Sequence, residues 1–144
     1  MRLFFLHTFL FLSLILNAQN DLQGTWKGVL IQDSNGSASE TSIELKLQSK
    51  GNKILGYSKT SIGDLYQIRR VEGTCHSDLL LLLTDFEIVE DETNIGMEWC
   101  KGTYQLVVKR LKTSIVLEGE WQGTTSFNNC APGKLKLEKI VPRA

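Results

Sequence analysis

Histidine is almost missing from this 144-residue chain, which has two, and His7 falls in the apolar opening run. His76 is left as the one imidazole for the rest of the chain. A lone histidine beside cysteines that lack paired metal spacing does not make a zinc site. No Gly-x-Ser-x-Gly elbow is present to offer His76 a serine nucleophile. Cys75 and His76 are neighbours, but neighbours in a strand point to opposite faces and do not pair as nucleophile and base. A phosphate-cradling glycine loop is also missing. So is a basic excess: 16 Lys+Arg stand against 16 Asp+Glu, which argues against nucleic acid as a partner. These absences point away from an enzyme, a cofactor or a bound metal.

Apolar runs long enough to cross a membrane as a helix are missing as well. The longest, Leu3 to Leu16, is broken by His7, Thr8 and Ser13 and falls short of the roughly 20 residues a span requires. It follows Arg2 and ends at Ala18, after which Gln19-Asn20-Asp21 is polar. That order of charge, apolar core and small residue predicts a signal peptide over residues 1–18, cut after Ala18. Leu16 fits the small-residue rule poorly at the third position before the cut. No cysteine near the cut invites a lipid anchor. The expected address is secreted, periplasmic or cell-envelope. Removing 18 of the 144 residues leaves 126, enough for one domain over residues 19–144. Only Arg2 leaves among the charges, so 15 basic residues face 16 acidic ones, a balance of −1. The acidic run Glu90-Asp91-Glu92 and the pair Arg69-Arg70 read as solvated surface.

What is present is short alternating segments punctuated by Gly, Asn, Asp and Ser. Strands are predicted at about 22–32, 42–49, 54–60, 65–75, 79–90, 97–110, 114–122 and 134–140. In the second, Ile43, Leu45 and Leu47 alternate with Glu44, Lys46 and Gln48. Lys50-Gly51-Asn52-Lys53 makes a hairpin turn into the third. One buried and one wet face is the antiparallel pattern. Eight such strands with short connections predict an all-β, single antiparallel up-and-down barrel, since closure removes exposed edges. A two-sheet β-sandwich is the alternative.

The fifth strand breaks the alternation, with leucine at every position from 79 to 83. Asp85 and Glu87 should face water, which turns Leu80, Leu82, Phe86 and Ile88 inward. Leu79, Leu81 and Leu83 then point out, under a covering segment or as a partner-binding patch. Facing outward, Asp85 and Glu87 are unsuited to a glycosidase's carboxylate pair. With Glu90, Asp91 and Glu92 they offer oxygen ligands, but not at EF-hand spacing.

The up-and-down order also sorts the cysteines. Cys75 ends the fourth strand at the end where the first strand begins. Cys100 and Cys130 lie at the opposite end. A disulfide needs Cα atoms within about 7 Å, so Cys100–Cys130 is the predicted bridge, in an oxidising compartment. The same order puts short turns (Lys50–Lys53, His76–Asp78, Arg110–Thr113) at one end. Longer loops (Asp33–Thr41, Ser61–Asp64, Glu90–Gly96, Gly123–Gly133) ring the other. That end is the natural mouth. Trp121 shares parity with Ile115 and Leu117 and should point inward near it, with Phe127 in the loop above. Trp99 turns outward by the parity of Tyr104, Leu106 and Val108, unless Gly102 marks a bulge. Trp121, Phe127 and Trp99 are the candidate ligand-binding residues. Asn35-Gly36-Ser37 reads as a turn rather than a glycan acceptor.

Gly24-Thr25-Trp26 resembles the Gly-x-Trp signature of lipocalin- and avidin-like barrels. The resemblance implies that Trp26 plugs the closed end against a basic residue from the last strand, here Arg143, with Lys139 as second choice. A wider pattern joins Gly-Thr-Trp-x-Gly, Trp99-Cys100 with Tyr104-x-Leu106, Gly119-x-Trp121 and Cys130-x-Pro132-Gly133. It resembles small secreted proteins of Bacteroidetes-type bacteria, which implies fold and compartment and leaves activity open. The leading expectation is a secreted, non-enzymatic barrel that binds a small molecule or carbohydrate at its long-loop end. The alternative is an envelope or surface interaction module, docking on the outer leucines or on the loops.

Overall fold

The computed structural model describes residues 21–77 and 79–141. The predicted signal peptide and Arg143 lie outside them. Eight antiparallel strands follow one another: β1 (Gly24–Ser34), β2 (Ser37–Lys50), β3 (Lys53–Ile62), β4 (Leu65–His76), β5 (Leu80–Glu92), β6 (Lys101–Arg110), β7 (Ile115–Thr124) and β8 (Gly133–Ile140). Each pairs with the next, and β8 returns to pair with β1, so the sheet closes as an up-and-down barrel rather than a sandwich. Alternation does the sorting. In β2, Ile43, Leu45 and Leu47 enter the core while the polar residues between them face out.

Glycines let so small a barrel turn its corners. Gly28, Gly56, Gly73 and Gly119 all lie across the ladder from buried residues such as Leu137, Leu47, Leu83 and Leu106. A Cβ on any of the four would collide with the carbonyl oxygen of a neighbouring strand: Lys136, Lys46, Leu82 or Gln105 respectively. The strands bend at these points because no side chain holds them apart.

Two of the expected long loops are not loops. β1 and β2 run on together to a two-residue turn, Asn35-Gly36, with φ of 53° and 79°. Two successive left-handed residues suit the twist of a hairpin, and Asn-Gly supplies them at least cost. Gly63-Asp64 turns β3 into β4 in the same compact way. The polar stretch Ser37–Glu40 is exposed on both faces, so its periodicity gave no sign of a strand.

β5 corrects a parity. Leu81, Leu83 and Asp85 face the interior and are buried, whereas Leu82 and Ile88 are 36% and 41% exposed. Leu80 and Phe86 are half-buried on the outer side. Phe86 there lies beneath the Arg70 guanidinium and the Lys101 ammonium, 5.9 and 5.7 Å from its ring centre. The outer leucine face is thus not formed, because two of its three members are in the core. Leu79 alone of the three is exposed.

Candidate functional site

The two ends of the barrel are built differently. At the end where β1 starts, Trp26 is 0% exposed and its indole N–H donates to the carbonyl of Leu22 at 3.0 Å. Lys139 of β8 stands over the ring at 5.7 Å and donates to the Asp21 carbonyl at 2.8 Å. Lys139, the second-choice basic residue, thus packs on Trp26, while Arg143 lies outside the described residues; hydrogen bonds tie this end together. Cys75 lies half-buried near this end, against the core cluster and outside the disulfide.

At the other end two connections are long, 93–100 and 125–132, and they are joined. Cys100 and Cys130 form the predicted disulfide, with Cα atoms 6.4 Å apart. Glu98 straps the loops a second time, accepting from the backbone N–H of Ser126 at 2.9 Å and from its hydroxyl at 2.7 and 2.8 Å. Those bonds hold the Glu98 carboxyl below the ordinary glutamate value.

The interior beneath these loops is polar because the β5–β6 ladder stops early. It runs from Leu80↔Val107 to Thr84↔Thr103 and goes no further. At the next position a side chain replaces the strand: the Asp85 carboxylate accepts the backbone N–H of Gly102 at 2.8 Å. It also accepts the Ser58 hydroxyl at 2.9 Å and the Tyr104 hydroxyl at 3.0 and 3.1 Å. Arg69 spans the same gap, donating to the carbonyls of Phe86 (2.9 Å) and Trp99 (3.4 Å) and to the Gln67 amide oxygen (2.7 Å). Arg69 is buried, which corrects its reading as solvated surface. Gln67 in turn donates to the Thr60 hydroxyl and the Cys100 carbonyl, both at 3.3 Å.

Burial raises the Asp85 carboxyl above its ordinary value, against the pull of the Gly102, Ser58 and Tyr104 hydrogen bonds and the Arg69 charge. Burial, with the Asp85 charge beside it, pushes the Tyr104 phenol well above its ordinary value too. The carboxylate expected on the wet face is thus the centre of the buried network. It is tolerated there because its donors replace the water it lost.

Above this floor lies a cavity of about 120 Å³. Its walls include Thr41 and Ile43 of β2, Asp85, and the rings of Trp99, Tyr104 and Trp121, with exposed Ile62 and Glu98 at the rim. Trp121 points inward as predicted, its indole laid on the paired glycines Gly102 and Gly123, where a Cβ at either would collide with it. Trp99 corrects its expected outward turn. It precedes β6 rather than belonging to it, so strand parity does not govern it, and it is 6% exposed. Its indole Nε1 is, among the described residues, the buried side-chain nitrogen or oxygen atom with no hydrogen-bond partner. Phe127 stands apart from the cavity on the 125–132 loop, 85% exposed. The missed residues, Asp85, Gln67 and Arg69, sit on strands whose apolar or charged pairs masked their parity.

The class these features define is a closed, eight-stranded up-and-down β-barrel, plugged at one end and pocketed at the other. Among known proteins, no family model matches the chain and no curated protein is significantly similar to it. No group of three or more His, Cys, Asp and Glu side chains among the described residues is placed to hold a metal ion.

Proposed function

We propose that this protein is exported under the residue 1–18 signal and serves outside the cytoplasm as a binding barrel. It holds a small molecule in the cavity at its loop end without transforming it. The observation that carries this reading is the placement of that cavity, with three aromatic rings on its walls, under two loops tied together by Cys100–Cys130. Small-ligand sites are concave, largely apolar and furnished with a few fixed polar groups, and the mouths of barrels commonly hold them. The disulfide is compatible with an oxidising compartment. The interaction-module alternative loses its leucine face, since Leu81 and Leu83 are buried.

Tryptophan emission tests the proposal. Trp99 and Trp121 line the cavity while Trp26 lies at the far end. A small-molecule panel is expected to give a saturable change with at least one compound. Thr41→Phe, which fills the cavity from β2, should abolish that change while keeping the β-sheet circular dichroism. A panel with no saturable response overturns the reading.

A further inference from the structure

We infer that the Trp26 end of the barrel is a docking face for an anionic lipid surface, on which the protein sits with its mouth turned away. This holds whatever the cavity binds. The even balance of acids and bases hides a polarised molecule. At the mouth, the connections 33–38, 62–65, 90–100 and 124–133 carry Asp33, Asp64, Glu90, Asp91, Glu92 and Glu98, and no Lys or Arg. At the Trp26 end, the turns 50–53 and 110–114 and the close of β8 carry Lys50, Lys53, Arg110, Lys112 and Lys139. The acid described beside them, Asp21, is held by Arg110 at 3.0 Å. Asp78 lies outside the described residues.

Lys50, Lys53 and Lys112 are exposed and enter no ion pair among the described residues. Apolar side chains stand out beside them. Leu111, between Arg110 and Lys112, is 59% exposed, Leu79 is 54% and Val141 is 71%. The turns that carry these residues are fixed. The Leu111 N–H donates to the Ser114 carbonyl at 2.8 Å, and the Leu79 carbonyl accepts the Val108 N–H at 2.9 Å. The Asn52 carbonyl, between the two lysines of the β2–β3 turn, accepts the Cys75 N–H at 3.4 Å. Short tips at one end of a closed barrel can meet a flat surface together.

The mixture of cations and apolar tips selects the partner. A headgroup layer offers anionic charge at its surface and hydrocarbon beneath, so it answers both. Each Lys or Arg brought to such a surface strengthens binding about fivefold. A soluble polyanion would answer the lysines and leave Leu79, Leu111 and Val141 in water. The mouth also exposes apolar side chains, Ile95 and Phe127, but among carboxylates that an anionic surface repels. One field therefore draws the Trp26 end in and turns the mouth out. The cavity under the 93–100 and 125–132 loops then stays open to the surrounding water.

Sedimentation with sucrose-loaded vesicles tests the inference, using the mature protein with its disulfide intact. Vesicles of equimolar phosphatidylglycerol and phosphatidylcholine are expected to carry the protein down, and phosphatidylcholine alone is not. Added salt should weaken the binding. Changing Lys50, Lys53 and Lys112 to Gln together should weaken it about a hundredfold, and Leu111→Ser alone about tenfold. All four positions are exposed, so an unchanged urea midpoint should show that the variants fold. Lipid spin-labelled at the headgroup should broaden the amide resonances of 50–53 and 110–113 and leave those of 35–37 and 126–128 sharp. Protein that sediments with neither vesicle, or equally with both, overturns the inference. Binding lost in the lysine variant but untouched by Leu111→Ser, and displaced by heparin, assigns the face to a soluble polyanion and overturns the lipid. Broadening at 126–128 instead overturns the orientation. None of these outcomes bears on the cavity, whose occupancy is read separately by tryptophan emission.

Discussion

Trp26 and Trp99 are buried at opposite ends of one barrel, and the difference between them lies in one hydrogen bond. Trp26 gives its N–H to Leu22 and lies under the Lys139 ammonium. Trp99 is nearly as buried, and its N–H meets no acceptor. The first arrangement spends an indole on stability. The second leaves the donor of a cavity-lining ring unmet. Burial alone would have assigned both to the core; hydrogen-bond accounting separates plug from pocket.

Truncating the plug should do the most damage. Trp26→Ala is expected to cost about 3–5 kcal/mol, the usual range for removing a large buried aromatic, read as a fall in the urea midpoint. A loss no larger than that of a surface substitution would erase the distinction between the ends. Next comes the staple. Replacing Cys100 and Cys130 by Ser frees an interval of 30 residues and should cost about 3.6 kcal/mol on the loop-entropy account. Hydrogen exchange should then quicken at 93–100 and 125–132 before it does at β1 near Trp26. Uniform quickening would show that the ends are not independent.

A pH series comes third. Because burial raises the Asp85 carboxyl, the folded chain holds that proton more tightly than the unfolded chain does. Its contribution to stability is whole below the unfolded aspartate pKa and is lost as the pH climbs through the folded one. Glu98, held low by Ser126, runs the other way: its contribution is present above the ordinary glutamate value and is lost on acidification. Asp85→Asn should flatten the decline of stability with rising pH, and an unaltered slope would remove Asp85 from that role. The smallest effect bears most closely on the comparison. Both Trp→Phe variants lose ring volume, but only Trp26→Phe strands an acceptor. It should cost about 1 kcal/mol more than Trp99→Phe. Equal costs would mean that the two N–H groups do not differ.

The frame of this molecule was readable from period-two alternation and turn chemistry. Ile43-Leu45-Leu47 and Leu135-Leu137 declare their faces, and the up-and-down order that follows is enough to pair Cys100 with Cys130. The pocket was not readable, for three separate physical reasons. Five leucines in a row carry no parity, so Asp85 was left to set it, and a carboxylate with three donors behaves as an interior residue. Two extra residues of β5 are bulged against β4 between Ile68 and Val71, beyond the reach of any periodic count. Trp99 belongs to no strand, so no alternation applies to it. The hints that did exist were Gly102 and Gly123, whose bare backbones seat Trp121.

Closure of β1 against β8 also sets an order in time. The Lys139 ammonium reaches the Asp21 carbonyl across 118 residues of sequence. Pairings of such span are the slowest to form, since most of the chain must be gathered before the contact yields anything. A chain emerging N-terminus first therefore carries an unanswered edge on β1 through nearly its whole appearance. Only the arrival of the last strand, eight residues long, ends that exposure.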